Sequence, residues 1–365
     1  MSANNSTSII YTGPLGYSLA ARIVITSVLM VILIMTVCGN LVVMLAVARL
    51  RSMRTLSNAF VFSLAVADTL VAVGVMPGAV LLQWNNGEWT LGRPFCLVWL
   101  SWDIYFSTIS IVHFSCLAID RFLAICDPFR YPRLVTKLSV AVMLITCWLL
   151  PGFISYLPIY TGWHTYGIEH LLLREPIEHT CFPLVNLPFA LICSVLAFYA
   201  PLAAILFCYW RIFVVARRHA KKIRGLEIAA PERSRISKMQ RDTKAAKTLA
   251  IVVGAFSLCY LPFFTLNVLD PFFDYSLDET KGNKVWLAIT WLGYCNSMLN
   301  PWIYYVSNKN FRAAFRKILG CKNNHSGSRS DDDGDCTEVT ALNRTRTNGH
   351  LQIFPSQAVG VGTVV

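Results

Sequence analysis

Residues 97–124 read LVWLSWDIYFSTISIVHFSCLAIDRFLA. This stretch is apolar and long enough to cross the hydrocarbon core of a bilayer, which takes about 20 residues of α-helix. It nevertheless carries Asp103 near one end and Asp120-Arg121 near the other. Ionisable residues within a membrane helix are costly and are functional by default. The stretch therefore predicts a spanning helix with a chemically active group towards each end.

Seven blocks of this kind predict the fold. The 365 residues are 55% hydrophobic and only 14% charged, which is little charge for a soluble protein of this size. Prolines inside several blocks would be costly in a soluble helix, but neighbouring membrane helices support the kinks. We expect an all-α membrane protein, a seven-transmembrane helix bundle with an amphipathic eighth helix. The predicted spans are Ile23–Val47, Ala59–Leu82, Leu97–Ala124, Leu138–Leu157, Leu187–Val215, Thr248–Leu269 and Trp286–Tyr305.

Lysine and arginine concentrate on one side of these spans, most densely between Arg217 and Lys247. Cytoplasmic segments carry the excess of basic residues, so we expect a plasma-membrane protein with an extracellular N-terminus. The formal net charge of +12 then reflects membrane topology rather than nucleic-acid binding. No cleavable signal peptide is recognisable before Ile23, and the first block is expected to act as an uncleaved anchor.

The segments outside the bundle carry modification signals. Residues 1–22 form the expected extracellular segment, with overlapping glycosylation sequons at Asn4 and Asn5. Residues 306–321 alternate apolar and basic side chains at helical spacing, which is typical of a helix lying on the inner leaflet. Cys321 ends that segment and is either palmitoylated or a free thiol. The polar tail, 322–365, is predicted to be disordered and cytoplasmic.

Asp103 is the first of two acids in the central parts of the spans. Ser107 and Ile111 follow at four-residue steps on the same helical face. A ligand ammonium would supply the missing cation, with a charge-assisted hydrogen bond and cation–π attraction from nearby aromatic rings. The alternative is an aspartate that is already hydrogen-bonded to a neighbouring hydroxyl such as that of Tyr294. The sequence leaves both interpretations open.

Asp68 is the second such acid and also lacks a partner of opposite charge. Polar residues on three other predicted helices can converge on it, and hard cations such as sodium take oxygen ligands. We expect either a sodium site or a water-filled polar network that joins helices, and no other cofactor. The residues concerned are Asn40, Asp68, Ser110, Asn296, Ser297 and Asn300.

Asp120-Arg121-Phe122 ends the third predicted helix at the inner face. Arg121 is about 27 Å from Asp103 along an α-helix, so one helix displays an acid outwards and an arginine inwards. The tripeptide is either a transmitting element or a common interfacial anchor. Cys96 and Cys181 are the cysteines outside the spans on the oxidising side, and they are the expected disulfide pair.

One motif in each helix makes the chain resemble the rhodopsin-like receptors from Ile23 to Cys321. Within this class, Asp103 with Trp291 and Tyr294 is similar to the aminergic branch. The chain is similar in particular to the type-4 serotonin receptors at the exit of helix four, Phe153–Ile159 with Gly162-Trp163, and at both ends of helix six, Thr243–Leu249 and Asp270–Tyr275. The matching motifs are Gly39-Asn40, Leu64-Ala65-Val66-Ala67-Asp68, Asp120-Arg121-Phe122, Trp148, Pro201 with Tyr209, Pro262, and Asn300-Pro301-Trp302-Ile303-Tyr304.

The resemblance implies a ligand set around Asp103. A single serine, Ser194, stands where dopamine type-1 receptors have several, which argues against a catecholamine. Trace-amine, dopamine type-1-like, histamine type-2-like and chemosensory amine receptors remain alternatives to a serotonin receptor. The implied ligand residues are Asp103, Ile104, Ser107, Thr108, Cys193, Ser194, Ala197, Tyr260, Phe263, Phe264, Asn267, Trp291 and Tyr294.

Two positions depart from the family pattern. Tyr260 replaces the usual tryptophan of helix six, which could change ligand shape or basal activity, and Phe122 replaces the usual tyrosine after the arginine.

The resemblance also implies a switch that opens an inner crevice for a heterotrimeric G protein, with the stimulatory type favoured, and later contacts with arrestin and receptor kinases. Asp242 is either the lock partner of Arg121 or a solvated charge at a helix N-terminus. The implied switch and coupling residues are Asp120, Arg121, Phe122, Phe129, Tyr209, Asp242, Ile111, Pro201, Phe256, Pro301 and Tyr304.

Other classes fit the sequence less well. No nucleophile, base and orienting group are placed together, so we expect no enzyme. The last span lacks the lysine that a retinal pigment requires. A transporter is expected to contain internal repeats, and none is visible.

Overall fold

The structure, a computed structural model, describes residues 15–172, 181, 184–224, 232–273 and 279–320, with backbone alone for 171–172, 219–224, 232–250, 252 and 279–283. Seven long helices and one short helix form a bundle. They are α1 (Leu19–Arg49), α2 (Leu56–Trp84), α3 (Gly92–Cys126), α4 (Lys137–Tyr160), α5 (Leu187–Ser194 continued by Val195–Tyr199 and Ala200–Arg224), α6 (Glu232–Phe272), α7 (Glu279–Ser307) and α8 (Lys309–Ile318).

Six of these helices, α1 to α6, are long and apolar enough to cross a membrane. α7 packs within the same bundle, against α1 and α6, and is less apolar because Asn296, Ser297 and Asn300 interrupt it. The helices extend beyond the predicted spans, since helical hydrogen bonding continues after the apolar sequence ends. The expected multi-pass fold is confirmed.

Side-chain caps define several helix starts. Ser18, Thr55 and Asn186 each accept a hydrogen bond from a backbone N–H three residues ahead, at α1, α2 and α5. Thr136 and Ser139 form a reciprocal capping box at α4. Such caps satisfy backbone donors that the first helical turn leaves free.

Two helical prolines are preceded by π-helical turns. Val71–Val75 precedes Pro77 in α2, and Val195–Tyr199 precedes Pro201 in α5. Proline removes one backbone donor and its ring clashes with the preceding turn, and a wider turn relieves both effects. Each π-helical turn also rotates the following part of the helix about its axis. This rotation determines which side chains of that part face the interior of the bundle.

The outer surface of the bundle is apolar. In α4, Leu138, Val142, Ile145, Leu149 and Phe153 recur at helical spacing and are all more than half exposed. A soluble monomer rarely exposes such a stripe, whereas lipid is its natural solvent. The buried side chains form an inner and an outer cluster, and α8 adds Phe311 and Phe315 to the inner one.

Candidate ligand site and signalling network

A cavity between α2, α3, α5, α6 and α7, here called the outer cavity, collects most of the predicted ligand residues. Its lining includes Asp103, Ile104, Ser107, Thr108, Cys193, Ala197, Tyr260, Phe263, Phe264, Asn267 and Tyr294. The remaining wall is almost entirely apolar. An acidic group in such a cavity suits a ligand with one cationic end and an aromatic body.

The carboxylate of Asp103 has weak protein partners. Ser107 donates its hydroxyl to Oδ1 at 3.5 Å, the limit of hydrogen-bond length. The Tyr294 hydroxyl interacts electrostatically with the carboxylate, although it makes no well-aligned hydrogen bond with any described group. Among the described side chains, no lysine, arginine or histidine pairs with Asp103. The charge is therefore available to a ligand cation.

Two predicted ligand residues do not line the outer cavity as the described residues define it. The hydroxyl of Ser194 is fully buried and accepts a hydrogen bond from the Asn267 amide at 3.1 Å. Trp291 is also buried and packs edge-on against Tyr294, with ring centroids 5.4 Å apart. Both therefore contact residues that line the outer cavity: Ser194 is bonded to Asn267, and Trp291 packs against Tyr294.

Several lining residues were not predicted. Trp99 and Leu100 lie one turn before Asp103 in α3, and Leu287 and Thr290 lie two turns and one turn before Tyr294 in α7. Their helical spacing from the predicted residues was a usable signal. Val185 and Phe189 come from the segment that enters α5, and no periodicity indicates them.

Cys181 lines the outer cavity and is disulfide-bonded to Cys96, which confirms the expected pair. The bond holds Cys181 against the start of α3. Nearby, Asn186 caps α5 and donates its backbone N–H to the carbonyl oxygen of His164 at 2.7 Å. The outer rim of the cavity is thus fastened by one covalent bond and several hydrogen bonds.

Tyr260 lies at the floor of the outer cavity. Its ring is 5.4 Å from the Phe256 ring and its hydroxyl interacts with Ser107. A side chain added at Gly293 would meet the Tyr260 ring at 3.5 Å, so the ring lies against the backbone of α7. The unusual tyrosine therefore connects the side chains around Asp103 with the aromatic cluster below.

Asp68 is fully buried and joins three helices. Its Oδ1 accepts hydrogen bonds from Ser110 at 3.1 Å and from Ser297 at 2.8 Å, and its Oδ2 accepts one from Asn300 at 2.8 Å. Asn40 donates to the Ser297 carbonyl oxygen at 3.0 Å, which adds α1. Asn296 is buried nearby in sequence, but its amide nitrogen has no hydrogen-bond partner among the described residues.

The oxygens around Asp68 fit a small hard cation. Oδ1 of Asn40 and Oδ1 of Asn300 are both buried and unpartnered among the described groups. Carboxylate, amide and hydroxyl oxygens are the ligands that such a cation takes.

At the inner end, Arg121 pairs with its neighbour Asp120 at 2.8 Å. Asp120 also accepts hydrogen bonds from Ser57 at 2.8 Å and from Tyr131 at 2.9 Å. These contacts tie α3 to α2 and to the short helix Tyr131–Leu134. The side chain of Asp242 lies outside the described residues, so its pairing with Arg121 stays a prediction.

The other predicted switch residues lie between the two ends. Ile111 and Phe256 are fully buried, and the Phe256 ring contacts the rings of Phe114 and Phe198 at 5.1 and 5.8 Å. Tyr304 is buried and Tyr209 is partly buried, and both have buried hydroxyls that lack a hydrogen-bond partner among the described residues. Phe122 and Pro201 are partly buried in the bundle, and Pro301 packs against Gly39. The predicted modification sites Asn4, Asn5 and Cys321 lie outside the described residues.

Residues 39–304 match the profile of the 7 transmembrane receptor (rhodopsin family). The chain is 43% identical to 5-hydroxytryptamine receptor 4 of Cavia porcellus, over 84% of this chain and 82% of the relative. Octopamine receptor beta-2R of Chilo suppressalis is 38% identical, over 86% and 84%. The D(1B) dopamine receptor of Xenopus laevis is 36% identical, over 83% and 71%.

The fold, the acid-lined outer cavity and these similarities define a class: the protein is a seven-transmembrane G protein-coupled receptor of the rhodopsin family. It belongs to the aminergic branch of that family. Its partners are accordingly an amine ligand and a G protein, and it is not an enzyme.

Proposed function

We propose that the receptor binds serotonin and signals through the stimulatory G protein to raise cyclic AMP. The observation that carries the proposal is the Asp103 carboxylate, which faces the outer cavity without a cationic partner among the described side chains. A primary ammonium would give it a short charge-assisted hydrogen bond in a water-poor site. The relative at 43% identity is a serotonin receptor by name, which supports this choice of amine.

The α5 wall of the outer cavity supports serotonin over a catecholamine. Cys193 and Ala197 line it, whereas the hydroxyl of Ser194 is occupied by Asn267. A catechol needs hydrogen-bonding partners for two adjacent hydroxyls, and a buried polar group without a partner costs binding energy. The Asn267 side chain remains in the lining and offers its carbonyl oxygen to a single ligand hydroxyl or ring N–H.

Transmission would begin at Tyr260 and Phe256. A ligand that contacts Tyr260 differently in two arrangements of α6 shifts their populations. The aromatic cluster of Phe114, Phe198 and Phe256 would repack, and the pairing between Asp120 and Arg121 would be replaced at the inner end. Tyr209 and Tyr304 carry buried hydroxyls that are free to support the open form.

The inner face would receive the G protein. Phe129 is 91% exposed in the segment between α3 and α4, an unusual position for an apolar ring unless a partner covers it. It would anchor the second inner loop, while the opened crevice takes a helix of the α-subunit. Arrestin and receptor kinases are expected as later partners of the same face.

A sodium ion is proposed at Asp68. Asp68, Asn40 and Asn300 would supply oxygens, and the ion would neutralise a carboxylate buried in the bundle. The extracellular N-terminus is also proposed, supported by the Cys96–Cys181 bond, because disulfides form in oxidising compartments. Residues Leu15 and Tyr17 lie at that end and contact Asn86.

The proposal is tested by expressing the full chain in cells that lack endogenous amine receptors. Serotonin, octopamine, tyramine, dopamine and histamine are each applied at increasing concentration. Cyclic AMP is recorded together with a direct sensor of stimulatory G protein dissociation. We expect serotonin to give the most potent response in both readouts.

The two readouts separate ligand from coupling. A response to octopamine or tyramine but not to serotonin would reject serotonin and retain the stimulatory pathway. Activation of another G protein subtype by serotonin would reject the pathway and retain the ligand. Surface expression measured on the same cells shows whether a silent receptor has reached the membrane.

A further inference from the structure

Two free cysteines face each other between α3 and α4. The sulfur atoms of Cys116 and Cys147, here called the thiol pair, lie 3.5 Å apart in hydrogen-bond contact. In the part of the chain that the structure describes, no other two free cysteines make such a contact. Both residues are buried, Cys147 completely. Neither the outer cavity nor the signalling network uses them.

Hydrogen bonds beside the thiol pair fix the register of the two helices. Ser63 of α2 is hydrogen-bonded to Nε2 of His113, one turn before the α3 thiol, at 2.8 Å. Trp148, the neighbour of the α4 thiol, donates its Nε1–H to the same serine oxygen at 2.9 Å. Tyr105 of α3 donates its hydroxyl to the Trp148 carbonyl oxygen at 3.0 Å. The packing of α3 on α4 therefore holds the two sulfurs together.

The thiol pair lies near the middle of the membrane, behind a single helix. Cys147 is about 15 Å along α4 from Lys137, where the helix begins, and this is half of a hydrocarbon core of roughly 30 Å. Ile145 and Leu149, on the opposite face of α4, are more than half exposed. Charged molecules are excluded from this layer, whereas apolar ones dissolve in it.

Two thiols in contact can react in a way that a single buried thiol cannot. The sulfur of the first thiol attacks the terminal oxygen of a hydroperoxide, whose O–O bond breaks, and the thiol proton passes to the alkoxide that leaves as an alcohol. The resulting sulfenic acid is attacked by the second sulfur. An S–S bond forms, the S–O bond breaks, and the hydroxide leaves as water with the second thiol proton. The two cysteines are oxidised by two electrons, and the hydroperoxide is reduced.

We propose that Cys116 and Cys147 are an oxidation site, at which a hydroperoxide converts the thiol pair into a disulfide between α3 and α4. The sulfurs would approach by about 1.5 Å to reach the bonded distance. The product is uncharged and suits apolar surroundings. A metal ion is a poorer occupant, because no group of three or more cysteine, histidine or acidic residues that could hold one occurs among the described residues.

The disulfide would join positions that are 31 residues apart in the chain. The segment between them contains Asp120-Arg121 and the exposed Phe129. A bond across a segment of this length stabilises a protein mainly by restricting its unfolded chain. We therefore expect oxidation to raise the melting temperature by about 5 °C and to leave amine binding in the outer cavity unchanged.

The test maps cysteine oxidation in the intact receptor reconstituted in lipid nanodiscs. One sample receives cumene hydroperoxide, which dissolves in lipid, and another receives hydrogen peroxide, which arrives from water. Remaining thiols are alkylated after unfolding, and linked peptides are identified by mass spectrometry without reduction. We expect an α3 peptide joined to an α4 peptide within one receptor. Faster linkage by cumene hydroperoxide would assign the oxidant to the membrane, and faster linkage by hydrogen peroxide would assign it to water; both results support the site.

Three variants make the test specific. Cys116→Ala and Cys147→Ala should each abolish the linked peptide and the rise in melting temperature. Cys38→Ala is the matched control, because Cys38 is exposed on α1 and makes no contact with another described thiol. It should leave both readouts unchanged. Amine binding verifies that each variant is folded, and the linked peptide in the unaltered receptor decides the proposal even where a variant does not fold.

The proposal is overturned if Cys116 and Cys147 both remain open to alkylation under conditions that oxidise Cys38, because the oxidant would then have entered the membrane without linking the pair. It is also overturned if Cys116 accumulates as sulfinic or sulfonic acid without a linked peptide. An equal rise in melting temperature in Cys116→Ala would contradict the stabilising role of the bond.

Discussion

The carboxylate of Asp103 receives one long hydrogen bond from Ser107, interacts with the Tyr294 hydroxyl and faces a cavity whose surface is mostly apolar. A buried acid with so little compensation is unfavourable by itself, and a bound ammonium relieves that cost. Loss of the acid should therefore affect binding of the amine more than folding of the bundle.

Asp103→Ala is expected to lower amine affinity more than 100-fold, on the order of 3 kcal/mol, because a desolvated charge pair loses one partner. The measurement is saturation binding of a radiolabelled amine to membranes. Glu88→Gln removes an acid near the same end that does not line the cavity and should leave the affinity unchanged. Equal affinities for the Asp103→Ala and unaltered receptors would refute the assignment.

His164 is a buried histidine in the outer loop, outside the spanning segments. Burial lowers its pKa below the usual value of about 6.5, and the positive charge of Arg93 acts in the same direction. The bond to the Pro158 carbonyl oxygen, at 3.1 Å, opposes this shift. The folded receptor therefore prefers the neutral ring.

Acidification should destabilise the outer loop through this residue. Below about pH 6.5 His164 is protonated in the unfolded chain but stays neutral in the folded receptor. The free energy of unfolding therefore decreases as the pH is lowered, until the pH falls below the lowered pKa of the folded state. The loss is at most about 1.4 kcal/mol per pH unit. Thermal unfolding followed by tryptophan fluorescence between pH 7.5 and 5.5 should show a smaller pH dependence for His164→Gln. Parallel pH profiles would contradict this role.

At the scale of elements, α1 and α7 approach closely at Gly39. A Cβ atom at this position would lie 2.9 Å from Cγ of Pro301, whose ring cannot move aside. Gly254 offers a matched contrast in α6, because no described atom lies within 4 Å of a Cβ placed there. Both glycines lie within helices, so replacing either one with alanine gives the same gain in intrinsic helix propensity.

Gly39→Ala is expected to destabilise the receptor. The gain in helix propensity is about 1 kcal/mol, and overpacking against a rigid neighbour costs about 1–3 kcal/mol. Gly254→Ala should keep the gain and raise the melting temperature slightly. The measurement is the melting temperature of the two purified variants. If both substitutions raised it, α1 would be able to move away from α7 at no cost in stability, and the prediction would be wrong.

Over the whole molecule, the buried polar network at Asp68 connects α1, α2, α3 and α7 midway between the outer cavity and the inner face. A ligand that binds the folded state alone raises its stability by mass action, and a sodium ion among these oxygens would do so.

The melting temperature should therefore be higher in sodium chloride than in N-methylglucamine chloride of equal ionic strength. Asp68→Asn should abolish the difference, whereas Asp103→Asn, at the other intramembrane acid, should retain it. A sodium effect that persists in Asp68→Asn would assign the ion to another site.

Local sequence alone determined the spans, the amphipathic α8, the Cys96–Cys181 pair and the two intramembrane acids. The reason is physical: lipid provides no hydrogen bonds, so every long apolar run must form a helix, and a buried charge stands out within it. Cys96 and Cys181 are the cysteines outside the predicted spans on the oxidising side, so each is the expected disulfide partner of the other. These properties depend on residue type and spacing rather than on distant contacts.

Tertiary structure alone decided which side chains meet. Ser194 is hydrogen-bonded to Asn267, Trp291 packs edge-on against Tyr294, and Arg54 and Lys137 line the same recess between α1, α2 and α4. Helix rotation determines these contacts, and the π-turn at Val195–Tyr199 changes the register of α5 by about 100° for each inserted residue. Because lipid and the protein core are equally apolar, the sequence of a membrane helix shows little periodicity to indicate its inward face. The rotation of each helix about its axis is therefore determined only when the helices pack together.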